Sequence, residues 1–93
     1  MNRQQYRENL RTLSLGNLAA ECHCVIANYR SMDPGPARWH AINHAGLVWD
    51  ECLRRCQEQV YRDAYAAVRA EEEARRVSAR RAIDEVALRQ REE

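Results

Sequence analysis

Apolar side chains in the second half of the chain recur every three or four residues. Ile42, Ala45, Trp49, Cys52, Cys56, Val60, Ala64 and Ala67 fall on one stripe, the period of a single helical face. No alternation of the kind that a half-buried strand requires competes with it. From Ala37 to Glu93 the chain has no proline and a single glycine, Gly46, so the pattern predicts one uninterrupted helix over 37–92. At about 1.5 Å of rise per residue this rod is roughly 85 Å long. That exceeds the diameter of a compact domain of this mass, so part of the rod must meet a partner or stand in water.

The rod changes character along its length. Trp39 to Val68 holds both tryptophans, Leu47, Val48, Leu53, Tyr61 and Tyr65, whereas Arg69 to Glu93 has only Val77, Ile83, Val86 and Leu88 as large apolar residues. The first part is predicted to be buried and the second exposed. In the exposed part, Glu71 and Arg75, Glu72 and Arg76, and Glu85 and Arg89 are acid-before-base pairs one turn apart, each worth about 0.2–0.5 kcal/mol to a helix.

At the N-terminus, Asn2 followed by Gln5 has the form of a capping box and predicts a helix from Arg3. Tyr6, Leu10, Leu13, Ala20, Cys24 and Ala27 continue at helical spacing, and a second stripe of Leu15, Leu18, Cys22, Val25 and Tyr29 lies on a neighbouring face. Two stripes imply two contacts. Residues 12–17 contain Gly16 among side chains that compete for backbone hydrogen bonds, which marks a kink or break within the N-terminal helix 3–30, with Ser14 able to cap a fresh start.

Residues 31–36, Ser-Met-Asp-Pro-Gly-Pro, are the one strong turn signal. Two prolines and a glycine end a helix, and Asp33 before Pro34 suits the start of the next. The reading that follows is one domain over 1–93: an all-α, antiparallel helical hairpin with a long, partly exposed C-terminal helix, coiled-coil-like and oligomeric. A turn centred near Pro34 sets Cys22 opposite Ala45 or Gly46, and gives Gly46 the role of letting the helices approach closely. The face carrying Tyr61, Tyr65 and Val68 is left without a partner, which predicts a homodimer or higher oligomer.

Fifteen basic and fourteen acidic residues leave a formal charge of +1, which argues against binding driven by phosphate neutralisation. Every basic side chain is arginine, the bias of GC-rich coding in a bacterium or one of its phages. No apolar run approaches a membrane span, and the first residues lack the apolar core of a signal peptide, so a cytoplasmic protein is expected, in the host cytoplasm if phage-encoded.

Chemistry has few candidates. His40 with His44 and Cys52 with Cys56 are each one turn apart, but the hairpin register separates the pairs by turns, and zinc needs three or four donors at about 2.0–2.3 Å. Neither metal nor cofactor is expected; the fallback ligands are Cys22, Cys24, His40 and His44. The cysteines read as small buried apolar side chains, with intramolecular disulfides disfavoured because Cys22 and Cys24 point apart and Cys52 and Cys56 lie too far along the hairpin. No phosphate loop, nucleophile elbow or paired carboxylates indicate an enzyme.

Arg54, Arg55, Tyr61, Arg62 and Tyr65 combine aromatic area with arginine forks at positions the core stripe does not use, and are the candidate partner-binding residues. The function expected is protein binding, as a regulator, adaptor or inhibitor, of which a phage-encoded inhibitor of a host protein is one form. The alternative is nucleic-acid or nucleotide binding by the arginine-rich long helix, with Arg54, Arg55, Arg75, Arg76, Arg80 and Arg81 on phosphates and Tyr61 and Tyr65 stacking on bases.

Overall fold

The computed structural model describes residues 1–92, and all regular structure among them is helical. Helix α1 spans Arg3–Thr12, α2 Leu15–Arg30, α3 Pro36–Arg54 and α4 Glu58–Glu92. Glu93 lies outside the described residues.

Each boundary has a local cause. The Asn2 side chain accepts the Gln5 N–H at 2.9 Å while the Gln5 side chain accepts the Asn2 N–H at 2.9 Å, a reciprocal capping box. Helix α1 stops at Leu13, whose backbone is extended, and Ser14 Oγ then accepts the Asn17 N–H at 3.1 Å to open α2. Gly16 is not the breaking residue; it lies within the first turn of α2. Helix α3 opens at Pro36, one residue before the predicted start at 37, because Gly35 adopts φ 156° and Pro36 takes the first helical position, where its missing N–H costs nothing.

The single rod predicted over 37–92 is broken in two. Arg55 ends α3, and Cys56 turns into the left-handed region at φ 56°. The Cys56 N–H donates to Leu53 O at 3.0 Å and the Gln57 N–H to Cys52 O at 2.8 Å, the paired bonds of a Schellman termination. Glycine usually occupies that position, and its absence is why composition alone misses the break.

The reason for the break is α2. Leu18, Cys22, Val25 and Ile26 are buried on it, and α2 packs against both α3 and α4, which touch one another less. A straight rod covers one side of a neighbour; turning at Cys56 brings Ala45, Leu47, Val48 and Cys52 of α3, and Ala64 and Val68 of α4, into the same core. Helix α1 adds Leu10, lying mainly on α3.

The predicted stripe is corrected on both sides of the break at Cys56. Ile42, Cys56 and Ala67 are exposed and Trp49 is half-buried, whereas Val68 is 1% exposed. The register is corrected too. Cys22 Sγ meets Cys52 Sγ at 3.6 Å rather than Ala45 or Gly46, which centres the pairing near residue 37 instead of 34. The first turn of α3 therefore overhangs α2, leaving Trp39 63% exposed. Gly46 makes no close approach, since a Cβ built there meets no atom within 4 Å.

Beyond Glu72, every described residue of α4 is exposed, and the molecule extends over 61 × 27 × 16 Å. Among the described residues no helix is long and apolar enough to cross a membrane.

Two substitutions follow from these backbone positions. Gly46→Ala meets open space in a helix interior and should raise stability by about 0.5–1 kcal/mol. Cys56→Gly relieves the left-handed strain but frees the unfolded chain, for a net gain of about 0.5–1 kcal/mol. Urea unfolding followed by circular dichroism measures both; a loss of stability at either position contradicts the geometry described.

Candidate functional site

Two clusters of side chains stand out, one outward-facing and one buried. The first lies at the junction of α3 and α4. Trp49 and Tyr61 meet edge to face with ring centroids 5.2 Å apart and planes at 69°, an arrangement in which the positive ring edge meets a negative face. The Arg62 guanidinium sits 5.9 Å over the Trp49 ring, within cation–π reach. With Tyr65 these side chains line an open cleft of about 300 Å³, whose walls are almost wholly apolar.

The cleft's far wall is held by Arg30 from α2. Its Nε and Nη2 donate to the two Glu72 carboxylate oxygens at 2.7 and 3.0 Å, Nη1 donates to the Tyr65 hydroxyl at 2.9 Å, and the guanidinium lies 5.2 Å from the Tyr65 ring centre. A bidentate pair of this kind fixes orientation as well as distance, so Tyr65 is clamped in place. Burial and the neighbouring Tyr29 push the Tyr61 hydroxyl above the usual tyrosine range, keeping it neutral. A second link between α2 and α4 is His23 Nε2 to Glu71 Oε1 at 2.9 Å.

The buried cluster centres on Glu51, 5% exposed. Arg54 donates to both of its oxygens at 2.9 and 2.7 Å, and Arg55 Nε donates at 2.8 Å. Arg55 Nη2 reaches on to Leu10 O at 2.8 Å and Arg11 O at 3.4 Å, satisfying carbonyls at the end of α1 where the helix dipole is negative. The hydrogen bonds from Arg54, joined by Arg55 and opposed by burial, hold the Glu51 carboxyl down at about 2.

The five predicted partner-binding residues therefore divide. Tyr61, Arg62 and Tyr65 are brought together, joined by Trp49, which the stripe had assigned to the core. Arg54 and Arg55 are turned away from them and are occupied by Glu51, with Arg55 acting as a strut between α3 and α1. That pairing had a readable signal, since Glu51 stands three and four residues before the two arginines. Arg30 and Glu72 had none, because 42 residues separate them.

The fallback metal ligands are dispersed. Cys22 faces Cys52, Cys24 is exposed, and His40 and His44 line a separate cleft between α1 and α3 in which the His44 ring stacks on Tyr6 at 4.1 Å. Among the described residues no three His, Cys, Asp or Glu side chains converge as ligands for one ion. Burial, with the hydrogen bond to Cys52, pushes the Cys22 thiol up to about 12, and burial raises Cys52 as well. Comparison of the chain with protein-family models, curated proteins and solved structures gives no match.

Glu51 makes stability depend on pH with a definite sign. Its folded pKa of about 2 lies below the ordinary value of 4.5, so the unfolded chain binds more protons between those limits. The stabilisation is complete above pH 4.5 and is lost as pH falls towards 2, amounting to about 3 kcal/mol. Glu51→Gln should cost roughly 2–4 kcal/mol at neutral pH by leaving two arginines short of a carboxylate. Its unfolding free energy, measured from pH 7 to 2, should fall less steeply than that of the parent; an equal slope would show that Glu51 is not the titrating group.

Proposed function

We propose that this chain is a non-enzymatic protein-binding regulator, adaptor or inhibitor, and that its partner docks on the cleft formed by Trp49, Tyr61, Arg62 and Tyr65. The observation that carries the reading is that three aromatic side chains leave an apolar concavity open beside an exposed arginine. Tryptophan, tyrosine and arginine are the side chains that most often dominate interface energies. The Arg30–Glu72 clamp supports it further, because a surface held in its bound geometry loses less entropy on association.

The reading includes self-association. The antiparallel pair α2 and α3 forms the packed hairpin, and the projecting part of α4 is the coiled-coil element. Ala79, Ala82, Ile83 and Val86 continue, at three- and four-residue spacing, the α4 face that carries Val68. An antiparallel pair of tails centred between Ala82 and Ile83 sets Ala79 of one copy against Val86 of the other. The second apolar stripe of the N-terminal helix no longer argues for an oligomer, since α4 of the same chain covers α2.

Nucleic-acid binding is the weaker alternative. Glu73 and Asp84 pair with Arg76 and Arg80, so the arginines of the tail are partly neutralised within their own helix.

Two measurements test these proposals. Arg62→Glu should lower partner affinity by roughly 2 kcal/mol or more with helicity and melting temperature unchanged, read as loss of the captured protein in parallel pull-downs with and without nuclease. Capture that survives Arg62→Glu, or that vanishes with nuclease, removes this site. Ile83→Asp with Val86→Asp should reduce the mass by light scattering to the 10.9 kDa of one chain; a wild-type protein already at that mass across micromolar concentrations ends the oligomer reading.

A further inference from the structure

We infer that Cys22 and Cys52 are an oxidisable dithiol, a modification site that hydrogen peroxide converts to an intramolecular disulfide tying α2 to α3. The two thiols are thirty residues apart in sequence, each 0% exposed, and their sulfurs lie 3.6 Å apart in hydrogen-bonding contact across the α2–α3 seam. A disulfide bond of about 2.05 Å requires the sulfurs to close by about 1.5 Å, a distance that side-chain rotation and a small helix shift can supply. The other two cysteines are exposed and lie apart from this contact, so the pair is defined by the core and not by chance collisions at the surface. Both residues are closed to water in the folded conformation, so an oxidant enters by local opening, which admits peroxide more readily than a tripeptide disulfide.

The surroundings make the two sulfurs unequal. Burial raises both thiols; at Cys52 the contact with Cys22 and the Arg55 guanidinium oppose the rise, whereas at Cys22 only a backbone hydrogen bond does. Cys52 is therefore the thiol that gives up its proton and attacks, and Cys22 the resolving thiol. The Cys52 thiolate attacks one peroxide oxygen and the O–O bond breaks, giving a Cys52 sulfenic acid and hydroxide, which takes up the proton Cys52 has shed. Cys22 sulfur then attacks Cys52 sulfur, the S–S bond forms as the S–O bond breaks, and the departing hydroxide leaves as water with the Cys22 proton. Two thiols and one peroxide become one disulfide and two waters; both sulfurs are oxidised and the peroxide is reduced.

The test uses the full chain with Cys24→Ser and Cys56→Ser, exposed positions whose replacement leaves the core intact, alongside the wild type. After peroxide treatment of the folded protein, the intact mass should fall by two hydrogens. Non-reducing tryptic digestion should join the peptide running from Thr12 to Arg30 to that running from Trp39 to Arg54, and dithiothreitol should separate them. The oxidised form should melt about 10 °C or more above the reduced form, because the cross-link closes a long loop in the unfolded chain. Oxidised glutathione in place of peroxide should leave the pair reduced while the protein stays folded. The inference is overturned if both thiols survive peroxide in the folded protein, if they gain oxygen without becoming linked, or if the linked form melts lower than the reduced one.

Discussion

Helix α2 must be covered on two sides, and the rest of the molecule is arranged to satisfy that constraint. Leu18, Cys22 and Ile26 are wholly buried on it and Val25 nearly so, an apolar circumference wider than one neighbouring helix can shield. Both faces are covered by the C-terminal half of the same chain. Dividing that half at Cys56 supplies two faces from one segment, at the cost of a non-glycine residue in the left-handed region, of order 1 kcal/mol. Side chains of Ile, Leu or Val size are worth about 1.5–3 kcal/mol each when removed from water, so burying Val68 alone outweighs the strain at Cys56.

The Glu51 cluster stands where the division happens. A carboxylate taken out of water is costly unless its oxygens are filled, and here Arg54 and Arg55 fill them from the last turn of the same helix. Arg55 also bonds to the final carbonyls of α1, so one guanidinium ties the end of α3 to the end of α1 at the point where the chain turns. The break and the docking of α1 are therefore coupled through a single side chain, and a perturbation at Arg55 reaches both.

Legibility in the sequence followed the range of the interactions. The helical class, the Asn2–Gln5 capping box and the turn before Pro36 depend on residues within a few positions of one another, and their patterns could be read directly. The exposure of the tail was legible for the same reason, since its charge pairs are local. The break at Cys56 was hidden because no glycine or proline marks it and its cause is a neighbour thirty residues away. The Cys22–Cys52 contact and the Arg30–Glu72 clamp were hidden with it, as both depend on where α2 lies between α3 and α4. Of the candidate surface, Tyr61, Arg62 and Tyr65 were recognisable as surplus to one core stripe. Trp49 was not, because it lies at the edge of the α3 core face and its partner Tyr61 is brought to it only by the turn at Cys56.

The exposed part of α4 is a helix with little to hold it. Its ion pairs, Arg76 with Glu73 and Arg80 with Asp84, contribute a few tenths of a kcal/mol each, and it lacks the tertiary packing that supplies most of a helix's stability. The segment is therefore the part of the molecule whose order responds most to what binds it. The cleft is the opposite case, its Tyr65 wall held in place by Arg30 and Glu72. Joining a rigid site to a compliant helix through one continuous α4 has a mechanical consequence. A partner that lies along the tail as well as in the cleft stabilises the helix between them, and the two contacts then reinforce each other through the shared backbone rather than through any direct touch.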